Sequence, residues 1–174
     1  MPSDEQHDQQ ADQHEHYEQN EQQVTLRETP IAELMRADHA RLEALLAGIP
    51  DEQFVRPGTL GEWSVKDMLA HITFWEQRLL AYTNGAKESL VQPEEDEQMA
   101  IDRINAGAFT ANRDRPLAEV RADFARSYQQ VLALAESLSA DDLADEVFYN
   151  LFAGDTFEHY REHNAMLEQW RQER

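Results

Sequence analysis

In the stretch DTFEHYREHNAMLEQW, His159 and His163 stand four residues apart, each preceded by a carboxylate, Glu158 and Glu162. Imidazoles at this spacing on a helix share one face, and both can reach a single ion, as paired helix histidines do at zinc sites. The competing arrangement is a solvent-edge pair bonded to those same glutamates. Met166 and Trp170 continue the series at three- and four-residue steps. Their apolar bulk turns the shared face toward the interior or its margin.

A third imidazole, His71, lies among Met68, Ile72 and Trp75. Helical geometry puts it within about 40° of Trp75. A lone histidine at the border of an apolar stripe is more often a core side chain with its hydrogen bonds satisfied. A helix bundle, however, lets a ligand on one helix project toward a pair on the facing helix. Three neutral imidazoles would leave one coordination position for water or substrate, the condition for a catalytic rather than a structural site. His39 also borders an apolar stripe and competes with His71. Spacing does not choose between them.

Ligating imidazoles commonly donate their second N–H to a carboxylate, so Glu158, Glu162 and Asp67 are candidate partners of the ligands. Asp67 and Glu158 also stand where helix caps are needed. Trp63, Trp75 and Tyr160 could line a pocket, although helix-face aromatics usually fill cores. The chain contains no cysteine, which excludes a cysteine nucleophile, thiolate ligands and disulfides. No Gly-rich phosphate loop, Ser-His-Asp order or nucleic-acid module is recognisable.

Helices must carry these residues. Thr29-Pro30 opens one with a cap and a first-turn proline. Ile31, Leu34, Met35, Leu42, Leu45, Leu46 and Ile49 then follow at the spacing of one buried stripe, and Gly48 and Pro50 end it. The connector DEQFVRPGTLGEW reads as loop. Ser64 caps a second helix, with Asp67 as its capping-box partner; Val65, Met68, Leu69, Ile72, Trp75 and Leu79 form its apolar face, and Asn84-Gly85 stops it. A weakly amphipathic segment over 94–113 reads as an accessory helix. Pro116 starts another long helix with Leu117, Val120, Phe124, Tyr128, Val131, Leu132, Ala135 and Leu138 on one side. The last helix is expected from Asp155 to the C-terminus, with Glu158 completing its cap. No segment alternates as a strand does, and no internal repeat is apparent. The expected fold is all-α: a four-helix bundle with a long connection and a short accessory helix between its second and third helices.

Of the formal charge of −20, seven negative charges fall in residues 1–26, which contain no Lys or Arg, leaving −13 on residues 27–174. A field of that sign repels phosphate backbones and anionic lipid, so neither nucleic acid nor membrane is an expected partner. Residues 1–26 are rich in Gln, Asp, Glu and His and nearly free of apolar side chains. They cannot offset the entropy of ordering and are expected to form a disordered acidic tail, with His7, His14 and His16 solvated. Residues 27–174 are expected to form the bundle domain. With no apolar run of roughly 18 residues and no basic-then-apolar start, a soluble, cytoplasmic protein is the expectation.

Two stretches carry a resemblance. GEWSVKDMLAHITFWE looks like the second-helix signature of the DinB/YfiT-like four-helix bundles, and GDTFEHYREH looks like their last-helix signature, where H-x-x-x-H completes a three-histidine metal site. NRDRPLAEV, before the long third bundle helix, also fits related members. The similarity runs over residues 29–172 in helix order. It implies that His71, His159 and His163 are the ligands of a divalent metal, zinc or nickel foremost, and it leaves His39 without a ligand's place. The superfamily includes transferases that use low-molecular-weight thiols, mycothiol-dependent isomerases, and a branch similar to colibactin self-resistance proteins. The chain stops within a few residues of the last helix, which sets an expectation against the isomerases and their additional C-terminal domain. The resemblance implies a metal-dependent S-transferase or hydrolase of detoxification type, activating a thiol cosubstrate or water against an electrophilic small-molecule substrate. A non-catalytic bundle that binds or sequesters a small molecule is the alternative. Members commonly form dimers, so a homodimer is also an expectation.

Overall fold

The computed structural model describes residues 29–86, 92 and 94–173; the expected acidic tail lies outside them. Among the described residues there are eight helical segments and no strand: α1 (Ile31–Leu46), α2 (Asp51–Phe54), α3 (Val65–Thr83), α4 (Glu97–Asn112), α5 (Leu117–Ser137), α6 (Ala140–Ala144), α7 (Glu146–Asp155) and α8 (Phe157–Gln172). The helices α1, α3, α5 and α8 form the bundle. α1 packs on α8 and α5, α3 packs on α5 and α8, and α4 lies outside against α3.

The apolar stripes read from the sequence are the surfaces that meet. Met35 and Leu42 of α1, Met68, Leu69, Ile72 and Leu79 of α3, Val120, Phe124 and Val131 of α5, and Phe157 and Leu167 of α8 are all buried. At roughly 1.5–3 kcal/mol for each fully buried large apolar side chain, this packing outweighs the modest helix propensity of any single segment. The accessory helix exists, but it is as long as α1. Only Ala100 and Ala108 of it are buried, which is why its periodicity is weak.

Several termini differ from expectation. Pro30 itself occupies the cap position of α1; its carbonyl accepts from the amides of Glu33 and Leu34, and no side chain caps the helix. Ser64 and Asp67 form the expected reciprocal cap on α3. Gly61, with φ +63°, turns the chain between Leu60 and Trp63, whose backbones bond to each other in both directions. The left-handed φ favours glycine there, and the turn delivers Trp63 directly before the cap of α3.

The largest correction concerns the region before the last helix. Two further helices, α6 and α7, fill 140–155, each capped by a side chain, Ser139 and Asp145. Asp155 therefore ends α7 instead of opening α8. Glu158 is exposed and caps nothing; α8 starts after Thr156 with no side-chain cap. The acids of GDTFEHYREH have the spacing of a cap, but α7 enters α8 with one intervening residue, so no free turn remains for one. Met166 also departs from its expected face and is exposed, while Trp170 is only partly buried. No described helix is long and apolar enough to cross a membrane.

Candidate metal centre

His71 sits on the second turn of α3, and His159 and His163 on the first two turns of α8. The capping of α3 fixes where His71 points. The Asp67 carboxylate accepts from the Ser64 amide at 2.9 Å and its hydroxyl at 2.6 Å. Buried Lys66 reaches the carbonyls of Asn112 and Arg113, both at 2.9 Å, and so ties the start of α3 to the end of α4. On α8 the i, i+4 spacing aligns the other two rings.

The three imidazoles converge through the same atom. Nε2 of His159 lies 2.8 Å from Nε2 of His71 and 3.0 Å from Nε2 of His163. Each neutral ring has at Nε2 either one hydrogen or one lone pair. His159 therefore faces two nitrogens with a single group, and no assignment of tautomers gives it two good hydrogen bonds. A tetrahedral ion bound at about 2.0–2.1 Å sets its nitrogens about 3.3 Å apart, so a spreading of a few tenths of an ångström would admit one. This buried three-histidine group can hold a metal ion.

Electrostatics prepares the donors. Burial pushes His71 down to about 3, with His159 adding to the shift and Asn105 opposing it. Burial alone takes His159 to about 4. Burial, then His159 and His71, hold His163 well below its ordinary value. All three are neutral at pH 7, the form that ligates.

The remaining sequence candidates separate. His39 is buried at the other side of the core, its ring stacked on Tyr128 at 3.4 Å between centroids and on Phe124 at 5.3 Å. It belongs to no metal-ligand group among the described residues. The Nδ1 atoms of His71, His159 and His163 are buried without a hydrogen-bond partner, so none of Asp67, Glu158 and Glu162 bonds to them. Asp67 is committed to its cap, Glu158 faces outward, and Glu162 is exposed at the edge of a cavity.

That cavity, of about 690 Å³, has His71 and His159 in its wall. Trp75 lines it as well, and its indole N–H donates to Oδ1 of Asn105 on α4 at 3.0 Å. Trp63 instead covers His71 with ring centroids 4.8 Å apart and stacks on Phe109. Tyr160 is fully buried, and its hydroxyl donates to Glu76 in the core.

Sequence reasoning missed Asn105, Phe109, Arg78 and Asp155. Arg78 donates to both carboxylate oxygens of Asp155, at 3.0 and 3.4 Å, and lies over the Trp75 ring at 5.0 Å. Burial raises Asp155 to about 7, against the pull of Arg78. Arg78 follows His71 by seven residues, two turns of one face, and Asp155 precedes His159 by four. Helical spacing from His71 could have found Arg78, whereas Asp155 lies across the α7–α8 corner from His159, where that spacing does not apply.

Residues 34–166 match the family model of the DinB superfamily. No curated protein matches the sequence. Among solved structures, the chain is similar to an uncharacterised protein from Escherichia coli UTI89, with a TM-score of 0.69 and 14% identity, over 80% of this chain and 90% of that one. At that identity the likeness shows the shared fold.

Proposed function

Because this chain belongs to the DinB superfamily, we propose that His71, His159 and His163 hold a divalent metal ion in an enzyme that acts on an electrophilic small molecule. The attacking group on this reading is a thiol cosubstrate or water, so the protein is an S-transferase or hydrolase. The observation that carries it is the meeting of three buried, neutral Nε2 atoms, with two of the rings, His71 and His159, lining a cavity large enough for a small molecule. A bound ion supplies Lewis acidity, which brings the pKa of water to about 7 in zinc enzymes and deprotonates a coordinated thiol.

The chain's own residues account for the rest of the task. Trp75, Ala100, Ile101 and Leu151 offer apolar surface to a substrate beside the histidines. Trp63 packs against the His71 ring and is itself stacked on Phe109, which holds that imidazole in place. The Asp155 carboxyl group lies on the same wall with a proton affinity near neutrality, so it can take a proton from the nucleophile or return one to the leaving group. The chain supplies no thiol of its own; a thiol nucleophile would come from a low-molecular-weight cosubstrate.

Elemental analysis of untagged full-length protein, with His7, His14 and His16 replaced by Gln, tests the first half. Close to one zinc or nickel ion per chain is expected, lost when His71, His159 and His163 are all changed to Ala. Thiol-transfer and hydrolysis assays on the same pair test the second. Turnover that survives loss of all three histidines sinks the enzyme reading. Ligand binding that survives without any turnover in the metal-loaded parent favours a sequestering protein.

A further inference from the structure

Among the described residues, the cavity beside the histidines is lined by one basic residue and three acidic ones: Arg78, against Glu97, Asp155 and Glu162. Arg78 is already committed, with Nη1 on both oxygens of Asp155 and its guanidinium over Trp75. Glu97, in the first turn of α4, and Glu162, on α8, are exposed at the cavity edge and have no hydrogen bond or ion pair among the described residues. The formal charge of these four residues is −2 with Asp155 ionised and −1 with it protonated. The same cavity is lined by the apolar side chains of Trp75, Ala100, Ile101 and Leu151. The lining thus has an aromatic and aliphatic floor with unpaired negative charge at its edge.

We propose that this cavity selects a substrate or cosubstrate whose body is apolar and whose outer end is cationic or uncharged, and that Glu97 and Glu162 reject carboxylate- and phosphate-bearing compounds. The proposal rests on reading the histidine-lined cavity as the substrate site, and it deepens that reading by naming the charge class admitted. A carboxylate placed in the cavity would stand near two like charges and find Arg78 already paired with Asp155. An ammonium group would meet two carboxylates with no competing partner. Each such contact, between exposed charges, is worth about two- to fivefold in affinity. Because both glutamates are exposed, salt should weaken the discrimination.

The experiment uses full-length, metal-free protein, so it reads charge selection whatever the metal analysis gives. Benzylammonium, benzyl alcohol and phenylacetate, similar in shape and different in charge, are titrated at pH 7.5 while the indole N–H resonance of Trp75 is followed by ¹H–¹⁵N NMR. The expected order is benzylammonium, then benzyl alcohol, then phenylacetate, with at least tenfold between the first and the last. The Glu97→Gln/Glu162→Gln double variant is expected to compress that span to within about threefold, and 0.5 M NaCl to compress it in the parent. Phenylacetate binding as tightly as benzylammonium overturns the proposal and makes Arg78 an anion anchor instead. A span unchanged in the double variant also overturns it, by assigning the preference to the general negative field of the molecule. So does the failure of all three probes to move the Trp75 resonance. A metal-free parent that shows the expected order while the loaded protein shows no turnover would keep the charge selection and remove the enzyme reading.

Discussion

Tyr160 donates its phenolic hydrogen to Oε1 of Glu76, joining the helix that bears His159 and His163 to the helix that bears His71. Both side chains are fully buried, and Oε2 of Glu76 has no other partner. Tyr160 is the chain neighbour of His159, and Glu76 lies little more than one turn beyond His71. The bond fixes the separation of the two histidine-bearing helices from within the core.

Tyr160→Phe should therefore destabilise the metal-free protein by about 1–3 kcal/mol, because it strands a buried carboxyl group with only part of its hydrogen bonding. Glu76→Gln should cost less, since the amide oxygen still accepts from the tyrosine. Urea unfolding of both single variants and the double variant gives the coupling between them. A coupling near zero would show that the bond does not join the two helices energetically.

The same glutamate makes stability depend on pH in a direction opposite to that of a salt-bridged acid. Burial raises Glu76 from 4.5 to about 7, although the Tyr160 hydroxyl and the nearby Ser127 pull it down. Between those values the folded state holds a proton that the unfolded state has released, so stability falls as pH rises. The contribution is full below about 4.5 and lost above about 7. Asp155 acts in the same direction, whereas the depressed histidines act against it below 6.5. The comparison must therefore be Glu76→Gln against the parent, with chelator present. The variant should gain about 2–3 kcal/mol relative to the parent between pH 5 and pH 8. An identical difference at both pH values would count against a buried, proton-holding Glu76.

Much of this arrangement was legible before any coordinates. The stripes of α1, α3 and α5 were clear because a buried face repeats at helical spacing. His159 and His163 were visible as a pair because their relation is local. The choice of His71 over His39 was not local: both border apolar stripes, and only the packing of α3 beside α8 brings one of them to the pair. Resemblance supplied that choice where periodicity could not. Glu76 was overlooked although it stands four residues after Ile72 and three before Leu79, inside a face that is otherwise apolar. Asn105 and Phe109 had no local signal, because their role arises only when α4 lies down against α3. The acids of GDTFEHYREH misled for a related reason. A cap and a helix-to-helix corner can share one spacing, and the packing of α7 on α8 decides between them.

Asp67 offers a test that separates capping from support of a metal. It stands one turn before His71, yet its carboxylate is occupied by Ser64 and, at 3.4 Å, by Lys66. Asp67→Ala should cost about 1–2 kcal/mol of stability through the lost cap and leave the metal content of the purified protein unchanged. A loss of metal in a variant that remains folded by circular dichroism would show that Asp67 acts on the His71 imidazole after all.

Metal binding itself should appear as stabilisation, independent of any substrate. An ion that binds the folded chain alone adds about 2.7 kcal/mol at a hundredfold excess over its dissociation constant. The melting temperature of the full-length protein, with the tail histidines replaced, should therefore rise with zinc or nickel concentration and return to its starting value on chelation. His71→Ala should abolish the rise, since two imidazoles on α8 cannot match three. His39→Ala is the informative control. It removes a ring stacked on Tyr128 and Phe124, so it should lower the melting temperature at every metal concentration while leaving the increment intact. If His39→Ala removes the increment and His71→Ala does not, the ligand set is wrong, and the ion sits on the other side of the core.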